Sequence, residues 1–176
     1  MKHGYFGKIE HGWAGFSAEY KVKIPYFEKE VEVLLGEEFD EEGEEIETPP
    51  TDQQIAEFEQ TLKEFFDNLE KVITDIQQSA FNYYNSRYAK YYEKPFEVLF
   101  ENENVHKTKN DELHPPLNID TKEKHFEYMK DMLGWIRILD GRTIKIPIHY
   151  ALDEEHGLEL KIVNNQVEAV DGIAEI

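Results

Sequence analysis

The chain has 176 residues, no cysteine, and 38 acidic against 19 basic side chains, which gives a formal net charge of −19 at pH 7. That length suits one ordinary domain with a real core, and the missing cysteines exclude a disulfide, a thiolate zinc site and a cysteine nucleophile. The charge repels nucleic acid and anionic membranes and attracts basic proteins, while ten Tyr, eleven Phe and two Trp argue against disorder throughout.

The first residues, Met1 to Phe6, hold no apolar leader, and no apolar run approaches membrane-spanning length. The expectation is a soluble, cytoplasmic protein. Residues 5–35 read as strands. Trp13, Phe16, Tyr20, Val22 and Ile24 lie largely on one alternation, and Val31, Val33 and Leu35 on another. Pro25 separates the two runs, because proline cannot donate to a central ladder.

Between Lys29 and Lys63 there is no Lys or Arg, and Glu37, Glu38, Asp40, Glu41, Glu42, Glu44, Glu45 and Glu47 crowd into one short stretch. This acidic segment, 37–50, reads as a loop or hairpin tip with Gly43 at the turn. It fails as an EF-hand because Gly43 falls at position four of the loop where the motif wants glycine at six.

Pro49-Pro50 then stops the chain, and Thr51-Asp52-Gln53-Gln54 forms a capping-box pattern. Ile55, Phe58, Leu62, Phe65, Leu69, Val72 and Ile76 follow at spacings of three and four, with Phe66, Ile73 and Ala80 widening the stripe. Continued through Tyr92 the helix would be about 60 Å long. A domain of this size spans only about 40 Å. A break near Asn82 to Ser86 is therefore predicted, with a second helical piece carrying Tyr88, Tyr91 and Tyr92 before Pro95.

Residues 101–120 are polar, lack periodicity and contain Pro115-Pro116, which predicts a surface loop or a lid. A shorter helix is predicted from Thr121 to Leu133, stopped by Gly134. Strands return at Trp135 to Leu139, turning at Asp140-Gly141 into Thr143 to Tyr150, and at Leu158 to Val163, turning at Asn164-Asn165 into Val167 to Val170. Strands, helices and strands in that order predict a single α+β domain over residues 1–176. Its mainly antiparallel sheet comes from N- and C-terminal strands, with a long and a shorter helix on one face. Sharing one sheet would put the two chain ends near each other.

Asp153-Glu154-Glu155-His156-Gly157 groups three carboxylates and an imidazole. Asp153, Glu155 and His156 are candidate metal ligands or an acid/base set, set against a polar turn between two strands, the reading preferred here. Tyr83, Tyr84, Tyr88, Tyr91 and Tyr92 with Arg87 read as a core edge or a protein interface rather than a base-stacking platform. There is no P-loop, dinucleotide fingerprint or nucleophile elbow.

The run Leu152 to Leu160, followed by Asn164-Asn165 and Val167, resembles the C-terminal part of a family of uncharacterised bacterial proteins. Phe6-Gly7, Trp13, the strand from Glu30 to Leu35 and the helix from Gln53 to Tyr84 agree with it in order. Members are catalogued as domains of unknown function, similar to proteins encoded beside polymorphic toxins, some of them proposed immunity proteins. The resemblance implies a bacterial cytoplasmic origin and carries no catalytic residue.

The leading expectation is an immunity-type binding module for a basic partner such as a toxin domain, without cofactor, nucleic acid or membrane. Glu37, Glu38, Glu41, Glu42, Glu44 and Glu45 would supply electrostatics, and exposed Tyr91 and Tyr92 would anchor. The alternatives are a metal-dependent hydrolase using Asp153, Glu155 and His156, joined by His114, and a nucleic-acid mimic.

Overall fold

The computed structural model describes residues 1–93 and 116–176, together with the backbone of two short strands, β6 (Val98–Leu99) and β7 (Val105–His106), which pair antiparallel. The loop predicted at 101–120 falls outside the described residues up to 115, apart from β7, and His114 falls there too. The described chain forms two compact units, residues 1–76 with 129–176, and residues 77–128.

In the first unit, β1 (Lys2–His3), β2 (Gly7–Gly12), β3 (Gly15–Ala18), β4 (Val22–Lys23) and β5 (Glu30–Leu35) precede the helices. The strands β8 (Trp135–Leu139), β9 (Thr143–Ile148), β10 (Leu158–Val163) and β11 (Gln166–Asp171) follow them. Among the described residues these nine make one sheet, in the order β1-β2-β3-β5-β8-β9-β10-β11 with β4 on β5. All pairings are antiparallel except β5 with β8. The α+β architecture with a mainly antiparallel sheet from both halves is as expected.

β1 and β11 stand at opposite ends of the strand order. The two halves meet at β5 and β8; the N-terminal strands lead the chain toward that junction and the C-terminal hairpins lead it away.

One residue parity of the sheet is the core side. Phe16, Val33, Leu35, Ile136, Ile138, Ile144, Ile146, Ile148, Leu158, Leu160 and Ile162 are buried, and the register pairs them across strands. Helix α1 (Asp52–Asp67) lies against β8 and β9. The Thr51 hydroxyl accepts from the Gln54 amide while the Gln54 side chain accepts from the Thr51 amide, completing the capping box. Ile55, Phe58, Leu62 and Phe65 are all buried, as the periodicity requires.

The break expected between Asn82 and Ser86 comes just beyond them, at Tyr88, ahead of a short helical piece with Tyr91 and Tyr92, and an earlier break falls at Asn68. Its side-chain amide donates to the Glu64 carbonyl at 2.8 Å, and its backbone N–H is shared between the Glu64 and Phe66 carbonyls. A short amide side chain that competes for the helix's own carbonyls loosens the turn. Helix α2 (Leu69–Arg87) then runs unbroken through Asn82 and Ser86, and the boundary between the two units falls inside it. Trp13 also departs from its predicted strand alternation, because it sits in the turn between β2 and β3 and is 72% exposed.

The second unit holds the end of α2, α3 (Ala89–Tyr92) and most of α4 (Lys122–Met129). Thr121 caps α4 by accepting from the Lys124 amide. The helix ends at Met129, short of Leu133, and Gly134 is not its stop. In the first unit a Cβ on Gly134 would come 2.6 Å from His149 Nε2, so glycine there permits close approach instead.

Candidate functional site

The acidic segment is an ordered hairpin. Phe39 bridges Glu45, the Asp40 amide donates to the Glu44 carbonyl at 2.9 Å, and the Ile46 amide donates to the Glu38 carbonyl at 2.9 Å. Asp40 builds the tip: its Oδ1 accepts from the amides of Glu42 (3.0 Å) and Glu44 (2.9 Å), and Gly43 takes a φ of 81°. The result holds Glu37, Glu41, Glu42, Glu44 and Glu47 exposed. Among the described residues, none of these five has a cation within ion-pair distance. Glu45 meets His11 at 3.4 Å and Glu38 meets Arg137 at 3.3 Å.

Arg137 positions this hairpin. It lies mid-strand in β8 on the parity opposite to the core isoleucines, and is nonetheless buried. Its guanidinium donates to the Gly36 carbonyl (2.9 Å) and the Ala14 carbonyl (3.0 Å), and it stacks 5.4 Å from the Trp135 ring. One side chain thereby ties the β2–β3 turn to the exit of β5 and to the acidic hairpin. Burial lowers the guanidinium's pKa, and the carboxylates of Glu38, Glu37 and Glu159 oppose that shift.

Arg137, Lys145 and Lys161 are register partners on three adjacent strands, so their side chains form one cationic row. The row is matched internally. Lys145 lies 3.9 Å from buried Glu159 and donates to the Ile176 carbonyl, and Lys161 lies 3.7 Å from Glu168. Burial raises the Glu159 carboxyl's pKa, with Lys145 pulling the other way. Beside the base of the acidic hairpin opens a cleft of about 580 Å³, reached by Glu37, Thr51, Gln54, Asp140, Lys145 and Lys161. Of its charged lining, Lys145 and Lys161 pair with Glu159 and Glu168, and Asp140 accepts from the Gln54 side-chain amide at 3.2 Å.

The 153–157 cluster is a turn. Asp153 Oδ1 accepts from the His156 amide at 3.1 Å and lies 3.0 Å from His156 Nδ1, and the Gly157 amide donates to the Asp153 carbonyl. The Asp153 hydrogen bond raises the His156 pKa. Glu155 points to solvent, and among the described residues no three His, Asp or Glu side chains stand together as a metal-binding group.

One family description matches residues 5–175. The chain belongs to the family described as a domain of unknown function, DUF6985. No curated protein and no solved structure matches it. The DUF6985 span takes in every element from β2 to β11, the acidic hairpin and the 153–157 turn included.

The predicted site residues belong to different units. Glu37, Glu38, Glu41, Glu42, Glu44 and Glu45 share one hairpin of the first unit. Tyr91 and Tyr92 belong to the second unit and are half-buried rather than exposed, Tyr91 beneath Lys90 at 4.7 Å. Arg137 was missed, although a signal was present. Ile136-Arg137-Ile138, Ile144-Lys145-Ile146 and Leu160-Lys161-Ile162 each set a lone cation between branched apolar residues. Such a triplet in a strand puts the cation on the second face, and three in succession point to a row.

Proposed function

We propose that this DUF6985 chain is a protein-binding module that docks a basic partner through its acidic hairpin, as an immunity-type inhibitor of a bacterial toxin would. The observation that carries the reading is the hydrogen-bonded hairpin holding Glu37, Glu41, Glu42 and Glu44 in solvent, with no ion pair to a cation among the described residues. A toxin that acts on nucleic acid presents a basic cleft, and a preorganised anionic projection meets it with steered association and little ordering cost. The formal charge of −19 adds long-range attraction.

The test begins with the genes on either side of this one. A toxin reading frame there names the partner to purify, and its absence removes the immunity reading. With that partner, the Glu41→Gln/Glu42→Gln/Glu44→Gln protein should associate about tenfold more slowly at low ionic strength, with a flatter salt dependence. Association that ignores both salt and the triple substitution overturns the electrostatic mechanism.

A further inference from the structure

We infer that Trp13 and Phe39 are the apolar anchors of the docking surface and that the surface receives an arginine-rich segment of a protein partner. This rests on the acidic-hairpin reading above. Trp13 is 72% exposed and Phe39 53%, in a molecule that buries Phe6, Phe16, Phe27, Phe58 and Phe65. Both sit on loops that the fold locks together. Arg137 bonds the Ala14 carbonyl on one loop and pairs with Glu38 on the other. Gly15 stands so near that a Cβ there would meet the Glu38 Cα at 3.4 Å, and His11 reaches Glu45 at 3.4 Å.

Trp13 and Phe39 are thus each one residue from a fixed contact between the loops. An exposed aromatic on each of two turns held together by these contacts is what an interface anchor needs. The surrounding charge decides the occupant. An apolar partner would strip water from Glu37, Glu41, Glu42 and Glu44 without replacing it. Arginine satisfies both halves of the surface, because its guanidinium stacks on an indole and forks onto a carboxylate.

The experiment is calorimetric titration of the full chain with deca-arginine peptide at low salt. Saturable binding is expected, with Trp13→Ala weakening it about tenfold at unchanged net charge and Trp13→Phe retaining most of it. Deca-lysine should bind more weakly. Both rings are exposed, so neither substitution threatens the core. If Trp13→Ala and Trp13→Ala/Phe39→Ala bind like the parent while the Glu41, Glu42, Glu44 glutamine variant does not, the anchor inference fails and the hairpin reading stands. If the glutamine variant also binds like the parent, or the parent does not bind, the hairpin reading fails as well. Equal affinity for deca-lysine overturns the arginine assignment.

Discussion

Arg137 and Glu38 pair at 3.3 Å with the guanidinium only 7% exposed and the carboxylate 29% exposed. The pair is lopsided, and its two ends should respond differently to mutation. Arg137→Met strands the Ala14 and Gly36 carbonyls as well as Glu38, and should destabilise the protein by about 3 kcal/mol. Glu38→Gln, at the wetter end, should cost about 1 kcal/mol or less. Urea unfolding measures both, and hydrogen exchange should show the Glu44 and Ile46 amides losing protection in Arg137→Met. Equal costs would deny Arg137 its role in holding the hairpin.

The parts of this fold that local rules control were legible. The α1 stripe from Ile55 to Phe65 follows from helical spacing, and the Asn164-Asn165 turn follows from tolerance of positive φ, observed at 49° and 62°. What stayed hidden depends on distant partners. The parallel pairing of Val33 with Ile136 joins segments far apart in sequence, and no neighbouring residue encodes it. Trp13 was placed by strand alternation, yet Gly12 and Gly15 turn the chain around it. Within the site, the acidic residues announced themselves by composition, whereas Arg137 gained its meaning only from the carbonyls of Ala14 and Gly36.

Asn68 interrupts a stripe that otherwise continues from Phe65 to Leu69 and Val72. Its side chain competes for the Glu64 carbonyl, and alanine cannot. Asn68→Ala should therefore draw α1 and α2 toward one continuous helix and raise stability by about 0.5 kcal/mol. Thermal unfolding reads the change. A loss above about 1 kcal/mol would instead mean that the joint is needed to aim the two stripes.

Within the second unit, Glu93 is a junction. It accepts from the Tyr84 hydroxyl at 2.5 Å and from the amides of Asn118 (2.8 Å) and Ile119 (2.9 Å). Burial, then the bond to Glu93, raises the Tyr84 pKa. Tyr84 should ionise after the exposed tyrosines in an ultraviolet titration. Glu93→Ala leaves three donors without this acceptor and should cost about 2 to 3 kcal/mol, against about 1 for Tyr84→Phe. A double-mutant cycle that finds the two additive would show that the hydroxyl and carboxylate do not interact.

His125 is fully buried, with its ring 5.1 Å from that of Tyr84 and 6.2 Å from that of Phe81. Burial pushes its pKa down from 6.5 to about 4. Between those values the unfolded chain binds a proton that the native state refuses. The stability this group permits is therefore complete above pH 6.5 and is lost as pH falls toward 4, by about 3 kcal/mol in all. His156 works in the opposite sense. Its pKa is raised by Asp153, so its contribution is full below the unfolded value and fades as pH rises through the folded one. Urea unfolding at pH 7.5 and 4.5 should show the acid loss shrinking in His125→Phe, which keeps the ring and removes the proton site. Asp153→Asn should return the NMR titration of His156 toward the ordinary histidine value and leave the acid loss in place. An unchanged acid loss in His125→Phe would move its origin from the imidazole to the carboxylates.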